Sequence, residues 1–60
     1  MEYIVKRLTP EAWWTRDGWH EDMRRAERYT SYDEAQATLR RIAKAEGRPA
    51  QRDYDVQKIR

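Results

Sequence analysis

The sequence predicts a small α+β domain, with one amphipathic helix packed on one face of an antiparallel sheet of three or four strands. Three observations lead there. A capping box, Ser31-Tyr32-Asp33-Glu34, opens a stretch whose apolar residues recur at three- and four-residue steps. Strand-favouring segments lie at both ends of the chain, around Tyr3-Ile4-Val5 and Tyr54-x-Val56. Between them Asp17-Gly18 marks a reversal beside a Trp-bearing segment. Sixty residues make a single domain spanning residues 1–60.

The elements follow in order. Met1 to Thr9 reads as a strand, with Tyr3, Ile4, Val5 and Leu8 as its apolar members. Thr9-Pro10-Glu11 ends it, because proline has no N–H to give to a ladder. Ala12 to Thr15 is a second strand carrying Trp13 and Trp14. At Asp17-Gly18 the chain reverses or bulges, which pins the Trp19 indole against the sheet. His20 to Arg28 is highly charged. Its Met23 and Ala26, three apart, suit one helical turn and no more. Arg28-Tyr29-Thr30 has the composition of a brief strand.

The helix is expected from Tyr32 to about Glu46. Tyr32, Ala35, Leu39, Ile42 and Ala43 form its single apolar stripe. Ser31 accepts from the N–H of Glu34, and the Glu34 carboxylate should reach back to the N–H of Ser31. Gly47 is the natural residue just past the end, with Pro49 stopping any continuation. Arg48 to Arg52 is expected to be a polar loop. Asp53 to Ile59 is the last strand, with Tyr54 and Val56 on one face. One helix with one stripe covers one sheet face, so the other face should stay wet. The terminal strands are expected side by side.

Composition narrows the chemistry. A chain this short buries only about 60% of the surface it exposes when unfolded, so it needs bulky core residues. Three Trp and four Tyr supply that bulk, and there is no Phe and no Cys. Without Cys there is no disulfide and no thiolate metal site. No apolar run approaches the roughly 20 residues of a membrane helix. The opening Met1-Glu2-Tyr3-Ile4-Val5-Lys6 lacks the pattern of a signal peptide, so a cytoplasmic protein is expected. Charged residues make up 40% of the chain, but with mixed sign and a net charge of only +2. That mixture and the periodic apolar blocks favour folding over disorder.

The string Trp14-Thr15-x-Asp17-Gly18-Trp19 is followed by Ala26, Tyr29, Ser31, Glu34-Ala35 and a closing Tyr54-x-Val56. This pattern resembles small phage- and prophage-encoded ββαβ proteins of unknown function. The likeness covers most of the chain, and its motifs are structural. It implies a phage-type accessory context, and it brings no catalytic residues.

Enzymatic constellations are thin, and a non-catalytic protein is expected. The one histidine, His20, has no partner serine at a recognisable spacing. Gly18 and Gly47 are the only glycines, so no phosphate-cradling loop exists. His20 with Asp17, Glu21 and Asp22 could supply oxygen and nitrogen ligands, yet four polar residues in a turn are commonplace. No metal and no cofactor is expected.

Two surfaces remain as candidates. Neighbours on a strand point to opposite faces, so one of Trp13 and Trp14 must lie away from the helix. Trp with Arg is the composition of binding hot spots. A protein-binding surface is therefore expected from Trp13, Trp14, Trp19, Arg24, Arg25 and Arg28, its partner a second copy or another protein. The bland alternative is an aromatic cluster that only stabilises the sheet. The second candidate is a nucleic-acid patch of Arg40, Arg41, Lys44, Arg48 and Arg52. Against the single acid Glu46 these five give residues 40–52 a charge of +4, whereas residues 1–30 balance to zero. Helix-dipole complementation accounts for Lys44 and Arg48 without function.

Overall fold

A computed structural model describes residues 1–59. Four strands form one antiparallel sheet: β1 (Tyr3–Arg7), β2 (Ala12–Thr15), β3 (Gly18–His20) and β4 (Tyr54–Lys58). Their order is β3-β2-β1-β4, so the terminal strands do lie side by side. A 3-10 turn spans Met23–Arg25, a long helix α1 spans Tyr32–Glu46, and a short helix α2 spans Ala50–Asp53. The fold is α+β with α1 on one sheet face, as the capping box and apolar stripe predict. No helix of the described residues is long and apolar enough to cross a membrane.

Register assigns the faces. Arg7 pairs with both Ala12 and Tyr54, Val5 with Val56, and Trp14 with Trp19. Tyr3, Val5, Arg7, Ala12, Trp14, Trp19, Tyr54 and Val56 therefore share the face under α1. The core there is Val5, Ala35, Leu39, Ile42, Ala43 and Tyr54, with Trp14, Trp19 and Tyr29 packed against it. Ile4, Lys6, Trp13, Asp55 and Gln57 point the other way.

The β2–β3 hairpin turns through Arg16-Asp17. Thr15 Oγ1 donates to the Gly18 carbonyl at 2.7 Å and accepts from the Asp17 N–H at 3.1 Å. Gly18 has φ 119, a conformation that side chains disfavour, which is why the turn signal sits there. At the far end of α1, Gly47 takes φ 69 and donates its N–H to Ala43 and Lys44 carbonyls.

Several expectations are corrected. The first strand is shorter than Met1 to Thr9, because Leu8 to Glu11 form the turn into β2. Ser31 Oγ accepts from the Glu34 N–H at 3.4 Å, but the Glu34 carboxylate does not return the bond. Arg48 to Arg52 is not a plain loop. Pro49, at φ −66, is the N-cap of the short α2, where its missing N–H costs nothing.

Arg28-Tyr29-Thr30 contributes one bridge rather than a strand. Tyr29 exchanges backbone bonds with Tyr3 at 2.8 and 2.9 Å, while the Glu27 N–H reaches the Trp14 carbonyl at 2.9 Å. β1 and β2 pair only through Lys6–Trp13 and Arg7–Ala12. Beyond that point they splay, and residues 27–29 fill the wedge. These bonds give main-chain partners to Tyr3 and to the Trp14 carbonyl where β1 and β2 no longer pair.

A domain of this size has a total stability of about 3–9 kcal/mol. Leu39, 2% exposed, is the largest fully buried side chain of α1. Leu39→Ala is expected to cost about 2–5 kcal/mol and so to abolish or nearly abolish cooperative urea unfolding. Circular dichroism across a urea series checks this, and an unchanged midpoint would refute the core assignment.

Candidate functional site

The aromatic residues divide into two sites on opposite faces of the sheet. The first lies on the helix side, at the Arg7 end of β1. The Trp14 and Trp19 rings meet edge to face, with centroids 5.1 Å apart. Trp19 stacks on Tyr54 at 5.8 Å, and the Arg7 guanidinium lies 4.9 Å from the Trp19 ring. Arg48 approaches Tyr54 at 5.8 Å. Ala12, small and buried beside Arg7, leaves room for these large rings to meet across the sheet.

Glu46 ties this cluster to α1. Its carboxylate accepts from Trp19 Nε1 at 2.7 Å and from the Tyr54 hydroxyl. A carboxylate in the last turn of a helix opposes the helix dipole, so its place depends on those donors. Burial pushes the Glu46 carboxyl up. The bonds from Trp19 and Tyr54, with Arg7 and Arg48 nearby, outweigh that and leave it below the ordinary glutamate value. Burial first, then the bond to Glu46, pushes the Tyr54 hydroxyl up to about 12. The arrangement is a charged hydrogen-bond anchor joining helix to sheet. Trp19, with its Nε1 engaged, and Trp14, edge-on against it, act there as packing residues.

The second site lies on the face turned away from α1. Trp13 Nε1 donates to Gln57 Oε1 at 3.2 Å, although β1 lies between their strands. The indole must therefore lie across β1. Beneath it Ile4, opposite Gln57 in register, is only 1% exposed. Gln57 Nε2 turns to the Met23 sulfur at 3.9 Å, and Lys6 Nζ is 5.6 Å from the indole centroid. The Tyr3–Tyr29 bridge puts Arg28 beside Ile4 on this face, where it pairs with Glu2 at 3.2 Å. This face is accordingly not bare, as a one-helix fold led us to expect. It carries a thin aromatic and amide layer, over which Trp13 is half-buried and Met23 is 42% exposed.

The six residues expected to form one protein-binding surface are thus split. Trp13 and Arg28 share the outer face, while Trp14 and Trp19 belong to the helix side. Arg24 is held by Asp22 at 3.1 Å. Arg25 is exposed at an open groove of about 490 Å³ with Arg16, Trp19, His20 and Glu27. Gln57 and Lys6 were legible from strand alternation, since Tyr54 and Val56 claim the other face. Met23 carried no such signal, because only the path of the 21–29 segment brings it to Gln57.

The basic patch is also rearranged. Arg48 and Arg52 both turn to Asp53, at 3.0 and 3.9 Å. Arg40, Arg41 and Lys44 stay exposed on the outer side of α1. His20 is exposed and its Nδ1 accepts from the Asp22 N–H at 2.9 Å. Among the described residues, no three His, Asp or Glu side chains converge as metal ligands. Comparison with protein-family models, with curated proteins and with solved structures finds no match.

The anchor makes a pH prediction. Glu46 has a depressed folded pKa, so its contribution is complete above the ordinary glutamate range and is lost as pH falls through the depressed value. Tyr54 has a raised one, so its contribution is complete below the ordinary tyrosine value of roughly 10 and is lost as pH rises. That alkaline loss runs to about 12. Urea midpoints measured across pH should therefore fall at both ends. Glu46→Gln should lower the neutral-pH midpoint and flatten the acid limb, whereas an unaltered acid limb would contradict the anchor.

Proposed function

We propose that this protein is a non-catalytic binding module that occupies a surface of another protein through the face carrying Trp13. One observation carries the reading. Trp13 is a half-exposed indole held in a fixed pose by Gln57 and Lys6, beside the exposed Met23. A large aromatic fixed before contact loses little conformational freedom on binding, which favours affinity. Aromatic residues, Met and Arg are the types enriched at interface centres. Around the indole stand the pairs Lys6–Glu11, Arg24–Asp22 and Arg28–Glu2, which form a polar rim of both signs.

A rim of matched pairs suits a partner surface that is itself mixed in charge. The pairs are exposed or half-exposed and worth little to the fold, so a partner can exchange them at low cost. The helix-side aromatics supply no equivalent surface, because Glu46, Arg7 and α1 occupy them. An inhibitor of a host protein or defence complex is one concrete form of this role, in keeping with the phage-type pattern in the sequence. Assembly with a second copy through the same face is the other form.

Affinity capture from a bacterial lysate tests the reading. A specific partner should be retained after nuclease treatment. Met23→Glu changes a side chain that is 42% exposed, so it should fold and lose that partner. Arg41→Gln, on the other side of the molecule, should keep it. A partner retained by Met23→Glu, or released by nuclease, would refute the proposal.

A further inference from the structure

We infer that the outer face of α1 binds the phosphate backbone of a nucleic acid through Arg40, Arg41 and Lys44. This surface is separate from the Trp13 face, because α1 covers the opposite side of the sheet. Among the described residues, none of the three cations has an acidic partner within 4.0 Å. The residues three and four positions from them include Gln36, Ala37, Thr38, Ala45 and Arg48, and no acid. Glu46, the one carboxylate in that half of the helix, is turned to Trp19 and Tyr54. Asp33 and Glu34 lie seven residues before Arg40 and Arg41, about 10 Å along the helix.

Lys44 stands four residues after Arg40 and three after Arg41, so like charges face one another on one surface. Such pairs cost about 0.2–0.5 kcal/mol each. The helix dipole offsets this only within the last turn. That accounts for Lys44, but Arg40 and Arg41 lie further in. Elsewhere among the described residues Lys6, Arg24, Arg28, Arg48 and Arg52 each stand within 4.0 Å of a carboxylate, while Arg7, Arg16, Arg25 and Lys58 do not. Three cations gathered at three- and four-residue spacing on one helix face, with no carboxylate of the described residues within ion-pair distance, are complementary to an anion from outside.

The shape suits a polyphosphate backbone. The small side chains of Ala37 and Ala45 flank the cluster, so a strand can approach unobstructed. A helix with side chains is about 10–12 Å across, and the major groove of duplex DNA is about 12 Å wide. Tyr32, the exposed aromatic of α1, packs edge-on against Tyr3 at the other end of the helix. Tyr32 and Asp33 line one open groove with Arg40, on one side of the cluster. The three cations offer charge to phosphates, and such contacts carry no sequence information directly.

Fluorescence anisotropy with the full chain tests this, using labelled duplex DNA, single-stranded DNA and duplex RNA across a salt titration. Binding of at least one is expected at low salt. For duplex DNA, three phosphate contacts give log K a slope of about −2.7 against log salt. Arg40→Gln/Arg41→Gln/Lys44→Gln should weaken binding by roughly ten-fold or more at low salt. Arg24→Gln/Arg52→Gln, which removes two paired cations, should stay within about two-fold. Arg40→Lys/Arg41→Lys keeps the charge and should keep the salt slope. The inference is overturned if none of the three probes binds, if the triple variant binds like the parent, or if polyglutamate binds as tightly as the nucleic acids.

Discussion

Consecutive side chains of β1 point to opposite faces, and both Val5 and Ile4 are sealed from water, at 0% and 1% exposure. This constraint shapes the rest of the molecule. A central strand with two adjacent buried residues needs a cover on each side. α1 supplies one through Ala35, Leu39, Ile42 and Ala43. The other side has no helix to use. There Trp13 lies across β1, Gln57 holds it, and the 21–29 segment closes the wedge between β1 and β2. The candidate protein-binding face is thus the outer surface of a structural lid.

The second consequence concerns how so small a domain holds together. Aliphatic residues alone provide only a few core positions, and the described fold has no disulfide. Amphipathic aromatics extend the core to its rim, where their polar atoms still find partners. The indole of Trp13 finds Gln57, and the indole of Trp19 and the hydroxyl of Tyr54 converge on Glu46. Glu46 would be unfavourable at a helix C-terminus by itself. Bound by two donors and flanked by Arg7 and Arg48, it becomes the link between α1 and the sheet. Every aromatic with a bonded polar atom is thereby fixed in orientation, which distinguishes a prepared surface from a mobile one.

Charge is distributed by the same economy. Lys6, Arg24, Arg28, Arg48 and Arg52 are matched by carboxylates, so they add solubility and little net field. The cluster on α1 gathers three unmatched cations on one helix face, and α1 covers the sheet face opposite to Trp13. The two proposed surfaces lie on different sides of the molecule, so a partner on one need not block the other. Nothing in the core separates them but the sheet and α1, so each can be altered without disturbing the other.

Local signals in the sequence determined much of this. The bounds of α1 follow from Ser31 and Gly47, because caps act within one turn of the chain. The span of β2 and the hairpin at Arg16-Asp17 follow from Pro10 and Gly18, whose backbone preferences are their own. That Trp13 and Trp14 face apart follows from the pleat. Tertiary structure alone decided which of them lies under α1, since the pleat is silent on direction until β1 pairs with β4. It also decided that Ile4 is buried, that Met23 joins Trp13, and that Asp53 removes Arg48 and Arg52 from the basic patch. Those outcomes depend on contacts between residues far apart in the chain, and periodicity carries no information about such distances.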